Sequence, residues 1–142
     1  AKCSVFVSQD GERTMQTFLG ASVELSESDI NENYFSNSSI LLIEGYLWSS
    51  ASAREAIEKA IKFAKEKQIQ IVFSLSDAGL VKMFRKDFVE FIDKDVDILI
   101  GNEGEFQSLF ENISPKINKA NFFINILPFS GIMTFICSIW QV

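Results

Sequence analysis

Three short apolar runs most constrain this chain: ILLIEGYLW over residues 40–48, IQIVFSL over 69–75 and VDILIG over 96–101. Each has the length and aliphatic content of a strand buried on both faces, and such strands sit inside parallel sheets. The stretches between them repeat with helical period. Ala53, Ala56, Ile57, Ala60, Ile61 and Ala64 fall at i, i+3, i+4, i+7, i+8 and i+11, and Ser52 with Glu55 fits a capping box at the start. Val81, Phe84, Phe88, Phe91 and Ile92 mark a second helix, and GEFQSLF over 104–110 begins a further one after Asn102. Strands alternating with helices of this length imply right-handed crossovers onto a mainly parallel sheet. Ligands in such sheets bind beyond the carboxyl ends of the strands. That rule points to Gly45-Tyr46, Ser76-Asp77 and Gly101 to Glu105.

Ahead of the alternation stands a different unit, CSVFVSQ, DGE and RTMQTFL over residues 3–19. Asp10-Gly11 between two runs rich in Val, Thr and Phe predicts an antiparallel hairpin closed by a tight primed turn, because Gly accepts the positive φ such a turn needs. Residues 23–38 are polar and read as irregular.

Composition narrows the chemistry. A chain of 142 residues that is 47% hydrophobic is long enough for one domain with a real core. Its formal charge of -6 argues against a nucleic-acid surface, which needs clustered Lys and Arg. Lys59, Lys62, Lys65 and Lys67 are interleaved with Glu55, Glu58 and Glu66, the pattern of a solvated helix face. There is no His, and Cys3 and Cys137 are the only cysteines. That combination excludes Cys/His metal sites, His-based acid-base catalysis and Ser-His-Asp triads. Two isolated cysteines and no cleavable signal sequence lead us to expect a reducing, cytoplasmic setting, and the start at Ala1 a processed or cut-down product.

DGERTMQTFLGAS (10–22), IEGYLW (43–48) and DILIGNEGEFQSLF (97–110), in this order and spacing, resemble kinases of the PfkB/ribokinase family, nearest to its adenosine-kinase-like and ribokinase-like members. The resemblance implies a ribokinase-like α/β fold: a Rossmann-like, mainly parallel sheet with flanking helices, preceded by a small β-hairpin lid, here incomplete. It also implies transfer of a phosphoryl group from ATP, with Mg²⁺, to a hydroxymethyl group of a sugar or nucleoside. In this family an N-x-x-E motif organises metal, water and phosphate, and Asn102 and Glu105 match it. Oxygen ligands of this kind suit Mg²⁺, a hard cation that keeps several waters. Read without the resemblance, the same two residues form a helix N-cap and its reciprocal partner at the third helical position, and the two roles are compatible.

Arg13 resembles a family arginine that approaches the phosphates, where a guanidinium would neutralise transition-state charge. Its competing reading is a surface Arg paired with Glu12 or Asp10. Tyr46 and Trp48 read as packing residues. Two family segments are absent: the glycine-rich substrate segment and the C-terminal G-A-G-D, which supplies the catalytic base and anion-binding N–H groups. We therefore assign no catalytic residue and no direct metal ligand, and expect no kinase activity from this polypeptide alone.

Residues 1–119 thus read as a partial kinase domain and 120–142 as an apolar C-terminal tail of uncertain origin, with the likeness ending near Lys119. No charged residue occurs from Asn121 to Val142. The tail is near the roughly 20 residues of a membrane span. Pro128, Gly131, Asn121 and Asn125 make it a poor one, so a buried or aggregation-prone end of a truncated or frameshifted product is expected instead. The expected partners are a sugar or nucleoside substrate and, for the protein itself, a second copy or a complementing chain. Two other classes stay open: a non-catalytic α/β module that binds small molecules or mediates association, and a remnant tethered to a membrane through residues 120–142.

Overall fold

The structure, a computed structural model, describes residues 1–110 and the backbone of 121–124. Strands β1 (Lys2–Val7) and β2 (Arg13–Phe18) form a separate two-stranded antiparallel sheet. Three 3-10 turns follow, Gly20–Glu24, Glu27–Asp29 and Glu32–Phe35. The main sheet then unfolds in chain order: β3 (Ile40–Glu44), a 3-10 turn at Gly45–Ser49, α1 (Ala51–Glu66), β4 (Gln70–Ser74), α2 (Ala78–Met83), α3 (Arg85–Asp95), β5 (Ile98–Gly101), α4 (Glu103–Phe110) and β6 (Asn121–Ile124). Its strands lie in the order β3-β4-β5-β6, all parallel. The expected α/β architecture is present, with its hairpin. Asn121–Ile124, inside the stretch read as a tail, pairs with β5; the rest of that stretch lies outside the described residues.

The register puts Leu41, Ile43, Ile71, Phe73 and Leu99 on one face of the sheet. All except Leu41, which packs against its margin, join a single core with Ile57, Ala60, Ile61 and Ala64 of α1, Val81 of α2, Phe88, Phe91 and Ile92 of α3, and Phe106 and Leu109 of α4. Phe73 is 0% exposed and packs against Trp48, Phe88 and Phe91 at ring-centroid distances of 5.0 to 5.5 Å. Edge-to-face contacts of this type add about 0.5–1.5 kcal/mol per pair beyond area burial. Trp48 is buried in this cluster, as its reading as a packing residue required.

Four local expectations need correction. The hairpin loop is not a two-residue primed turn. The Gly11 N–H donates to the Ser8 carbonyl at 3.0 Å, the Ser8 N–H donates to the Glu12 carbonyl at 2.9 Å, and Gly11 has φ +86°. This is a three-residue loop with a glycine bulge, which sets Val7 opposite Arg13. The cap of α1 is Ser50, whose hydroxyl accepts from the Ala53 N–H at 3.4 Å, rather than Ser52. The second helix is two helices, broken at Phe84 (φ -109°, ψ 22°) although the apolar spacing continues across the break. The first apolar run is extended only to Glu44 and then turns.

Candidate functional site

The turn at Gly45, the β4 end at Ser76-Asp77 and the start of α4 meet at the carboxyl end of the sheet. Close backbone approach is what brings them together. A Cβ on Gly45 would stand 2.7 Å from the Leu75 carbonyl oxygen, and one on Gly101 would stand 2.9 Å from Leu75 Cδ1 and 3.1 Å from Glu105 Oε2. Glycine is therefore required at Gly45, where the obstacle is backbone, while at Gly101 the obstacles are side-chain ends that would have to give way. Between them, Ser76 holds φ +70°, a strained conformation for a residue with a Cβ and one that recurs at functional sites.

Asn102 and Glu105 are locked to each other across the first turn of α4. The Asn102 amide donates from Nδ2 to Glu105 Oε1 at 2.8 Å, and the Asn102 backbone N–H donates to Glu105 Oε2 at 3.0 Å. The Glu105 N–H returns a bond to Asn102 Oδ1 at 2.9 Å. This is a reciprocal capping box, so the cap reading of the pair is realised. Glu105 is only 7% exposed, and Ser108 is the other buried polar residue among those described. Burial raises the Glu105 carboxyl above its ordinary range, opposed by the hydrogen bond from the Asn102 backbone and reinforced by the Asp77 charge. Each carboxylate oxygen keeps a lone pair beyond these bonds, so the pair can still accept from a water.

Two residues that sequence reasoning missed or misread border this pair. Glu44, the last residue of β3, is half-buried, and burial raises its carboxyl. Its signal was visible as a lone charge at the end of an apolar run, where the strand stops. Tyr46 was read as packing, yet it is 55% exposed, and its hydroxyl donates to the Ser76 carbonyl at 3.1 Å. Partial burial raises its phenol most, followed by the charges of Asp77, Glu105 and Glu44. Tyr46 thus lies close enough to Asp77, Glu105 and Glu44 to feel the charge of each. Asp77 caps α2, its Oδ1 accepting from the Leu80 N–H at 3.0 Å.

Arg13 stands elsewhere, exposed at the first position of β2 on the separate hairpin sheet. The structure thus brings Asn102 and Glu105 together and leaves Arg13 on another element. Among the described residues no group of three or more His, Cys, Asp or Glu is placed to hold a metal ion, and no helix is long and apolar enough to cross a membrane. A groove of about 740 Å³ between α1 and α3, lined by Trp48, Arg54, Lys62, Phe91 and Lys94 among others, includes neither residue of the pair.

A model of the pfkB family of carbohydrate kinases matches residues 1–138, running past Lys119. The adenosine kinase of Sinorhizobium meliloti has a crystal structure that is 36% identical, with TM-score 0.72, over 77% of this chain and 34% of that one. An Escherichia coli protein assigned as a ribokinase II, solved with ATP and Mg²⁺, is 25% identical with TM-score 0.61, over 77% of this chain and 36% of that one. The 5-dehydro-2-deoxygluconokinase of Bacillus licheniformis is 30% identical over 70% of this chain and 31% of its own length. The chain spans about a third of the length of these relatives.

Proposed function

The chain belongs to the PfkB family of carbohydrate kinases, and on that premise we propose that it is part of an ATP-dependent sugar or nucleoside kinase that does not turn over by itself. The observation that carries this reading is the Asn102–Glu105 pair, hydrogen-bonded to each other with Glu105 buried and Asn102 exposed at the carboxyl end of β5, where a sheet of this kind receives its ligands. Relatives that act on adenosine and on a deoxygluconate derivative support the substrate class, a hydroxyl-bearing sugar or nucleoside. The relative solved with ATP and Mg²⁺ supports the phosphoryl donor and its cation.

The residues present fit Mg²⁺ at one remove. One carboxylate and one amide oxygen, both engaged in the capping box, suit a cation that keeps most of its waters and is held through them. When bound, the cation neutralises charge on the phosphates. What this chain contributes is position: Glu105 fixes the Asn102 amide, and both present lone pairs to water at the crevice. Arg13 would approach the phosphates when the hairpin closes over the crevice, supplying a guanidinium to the developing charge.

In the transfer the acceptor hydroxyl attacks the γ-phosphorus, the bond to the ADP oxygen breaks, and the hydroxyl proton passes to a base. The base and the anion-binding N–H groups belong to a G-A-G-D segment that these residues lack. A second copy or a complementing chain is the partner we assign, supported by the exposed Phe6, Val7, Met15 and Phe18 on the hairpin. A cytoplasmic location accords with the two isolated cysteines. A second reading, a non-catalytic binding module, draws on the same pair, since its mutual hydrogen bonds are all that a helix cap requires.

The test is ATP consumption across a panel of sugars and nucleosides. The chain alone gives no turnover above background. Supplied in trans with the remaining part of the Sinorhizobium meliloti kinase, it gives turnover that Glu105→Gln lowers in kcat. Turnover by the chain alone that Asn102→Ala abolishes would overturn the proposed dependence on a partner.

A further inference from the structure

Strand β4 does not run straight into α2. The Asp77 N–H donates to the Leu75 carbonyl at 2.9 Å, two residues back, with Ser76 between them at φ +70°. That is the rarer, strained form of the γ-turn, and a residue with a Cβ keeps it only where its surroundings hold it there. Three contacts do so here. The Tyr46 hydroxyl donates to the Ser76 carbonyl at 3.1 Å, and the Ser76 hydroxyl donates to the Ser74 carbonyl at 3.2 Å. Gly45 lies so near that a Cβ on it would stand 2.7 Å from the Leu75 carbonyl oxygen. Of the three, the Tyr46 bond alone comes from a side chain outside the turn.

The same turn bears on the Asn102–Glu105 pair. Leu75 is 0% exposed, its N–H donates to the Ile100 carbonyl at 2.9 Å, and its Cδ1 would stand 2.9 Å from a Cβ on Gly101. Leu75 is thus wedged between Gly45 and Gly101, and Gly101 leads directly into Asn102. Where Leu75 stands fixes where the pair stands. Tyr46 gives little to packing: it is 55% exposed and lies outside the hydrophobic core. A half-exposed ring whose hydroxyl engages a strained backbone carbonyl 30 residues away has a positional task.

We infer that Tyr46 is a positioning residue for phosphoryl transfer: its hydroxyl clamps the strained turn at Ser76 and, through Leu75 and Gly101, holds Asn102 and Glu105 in place. It acts through the backbone and touches no reacting atom. The inference rests on the reading that this pair serves a kinase reaction.

The experiment is amide hydrogen exchange on the folded chain, paired with turnover when the chain is supplied in trans with the remaining part of the Sinorhizobium meliloti adenosine kinase. Tyr46→Phe removes one hydroxyl and keeps the ring. The Asn102 and Glu105 amides, the two backbone donors of the capping box, should exchange about fivefold faster, the scale of one hydrogen bond, while the Phe73 amide keeps its wild-type rate. In the complemented kinase kcat should fall about tenfold with KM for the acceptor unchanged. Adding Ser76→Gly restores most of both, because glycine holds φ +70° without a clamp; it would not replace a phenol that touched substrate directly. Tyr34→Phe, on an exposed 3-10 turn, changes neither. Wild-type exchange at Asn102 and Glu105 in Tyr46→Phe, or a double variant that exchanges as fast as Tyr46→Phe, would overturn the inference. Faster exchange in Tyr46→Phe and its reversal by Ser76→Gly, with no turnover from the complemented wild type, would overturn the kinase reading and leave the clamp standing.

Discussion

The hairpin and the helix-covered sheet are both apolar in sequence, but they hold themselves together differently. In β1 and β2 every residue is exposed, including Phe6 and Phe18, so cross-strand pairing alone maintains the ladder. A two-stranded hairpin of that kind is marginally stable in water. Around β4, by contrast, Phe73, Leu75, Phe88, Ile92 and Leu99 are all 0% exposed. The difference teaches where function can be built: Asn102 and Glu105 sit on the packed layer, which fixes their geometry, while Arg13 sits on an exposed strand that adds no residue to that core.

Phe73→Ala breaks that contrast most severely. It removes a ring that touches three others and leaves a cavity, and should cost about 3–5 kcal/mol in denaturant unfolding. Gly45→Ala comes next. The added methyl meets the Leu75 carbonyl oxygen, a backbone atom, so the turn at the site has to shift, at a cost of about 1–3 kcal/mol. Asn102→Ala removes the oxygen that caps the Glu105 N–H and leaves the Glu105 carboxylate short of one donor, its bond from the residue 102 backbone N–H being kept, for a loss of about 1–2 kcal/mol by the same assay.

These sites also show how much the sequence discloses. The β-α-β order and the inward face of α1 follow from periodicity, because burial of one stripe leaves a repeat that can be counted. The break at Phe84 leaves none, since Val81, Phe84, Phe88 and Ile92 keep their spacing while the backbone turns. The one-residue difference in the hairpin loop is equally hidden: Asp10-Gly11 signals a turn, but Ser8 decides which loop forms by bonding to both Gly11 and Glu12. At the site, the N-x-x-E spacing revealed the pair. Glu44 was masked by the apolar run that contains it, because a strand reading does not say where the strand stops, while Tyr46 stood at a position the strand-end rule pointed to and was read as packing.

Glu44→Gln sharpens the comparison through pH. Burial raises the folded-state pKa of Glu44 above the ordinary 4.5, so the folded chain holds that proton more tightly than the unfolded chain does. Its contribution to stability is therefore greatest below the unfolded value and is lost as pH rises through the raised one. At pH 7 the Gln variant should be more stable than wild type, by less than about 1 kcal/mol because water still reaches the site, and the gain should vanish near pH 4. A gain that persists unchanged at acid pH would show that Glu44 ionisation is not its cause. The smallest effect belongs to the hairpin: Val5→Ala, on an exposed strand, should change global stability by no more than about 0.5 kcal/mol in the same unfolding assay.

Native-state amide hydrogen exchange tests most directly whether the Asn102–Glu105 pair rests on a layer that stands by itself while the hairpin does not. The amides of Phe73 and Phe106 should exchange only through global unfolding, and those of Phe6 and Thr14 through local opening at far lower cost. Phe6 and Thr14 amides as slow as that of Phe73, or a Phe106 amide as fast as that of Phe6, would contradict it.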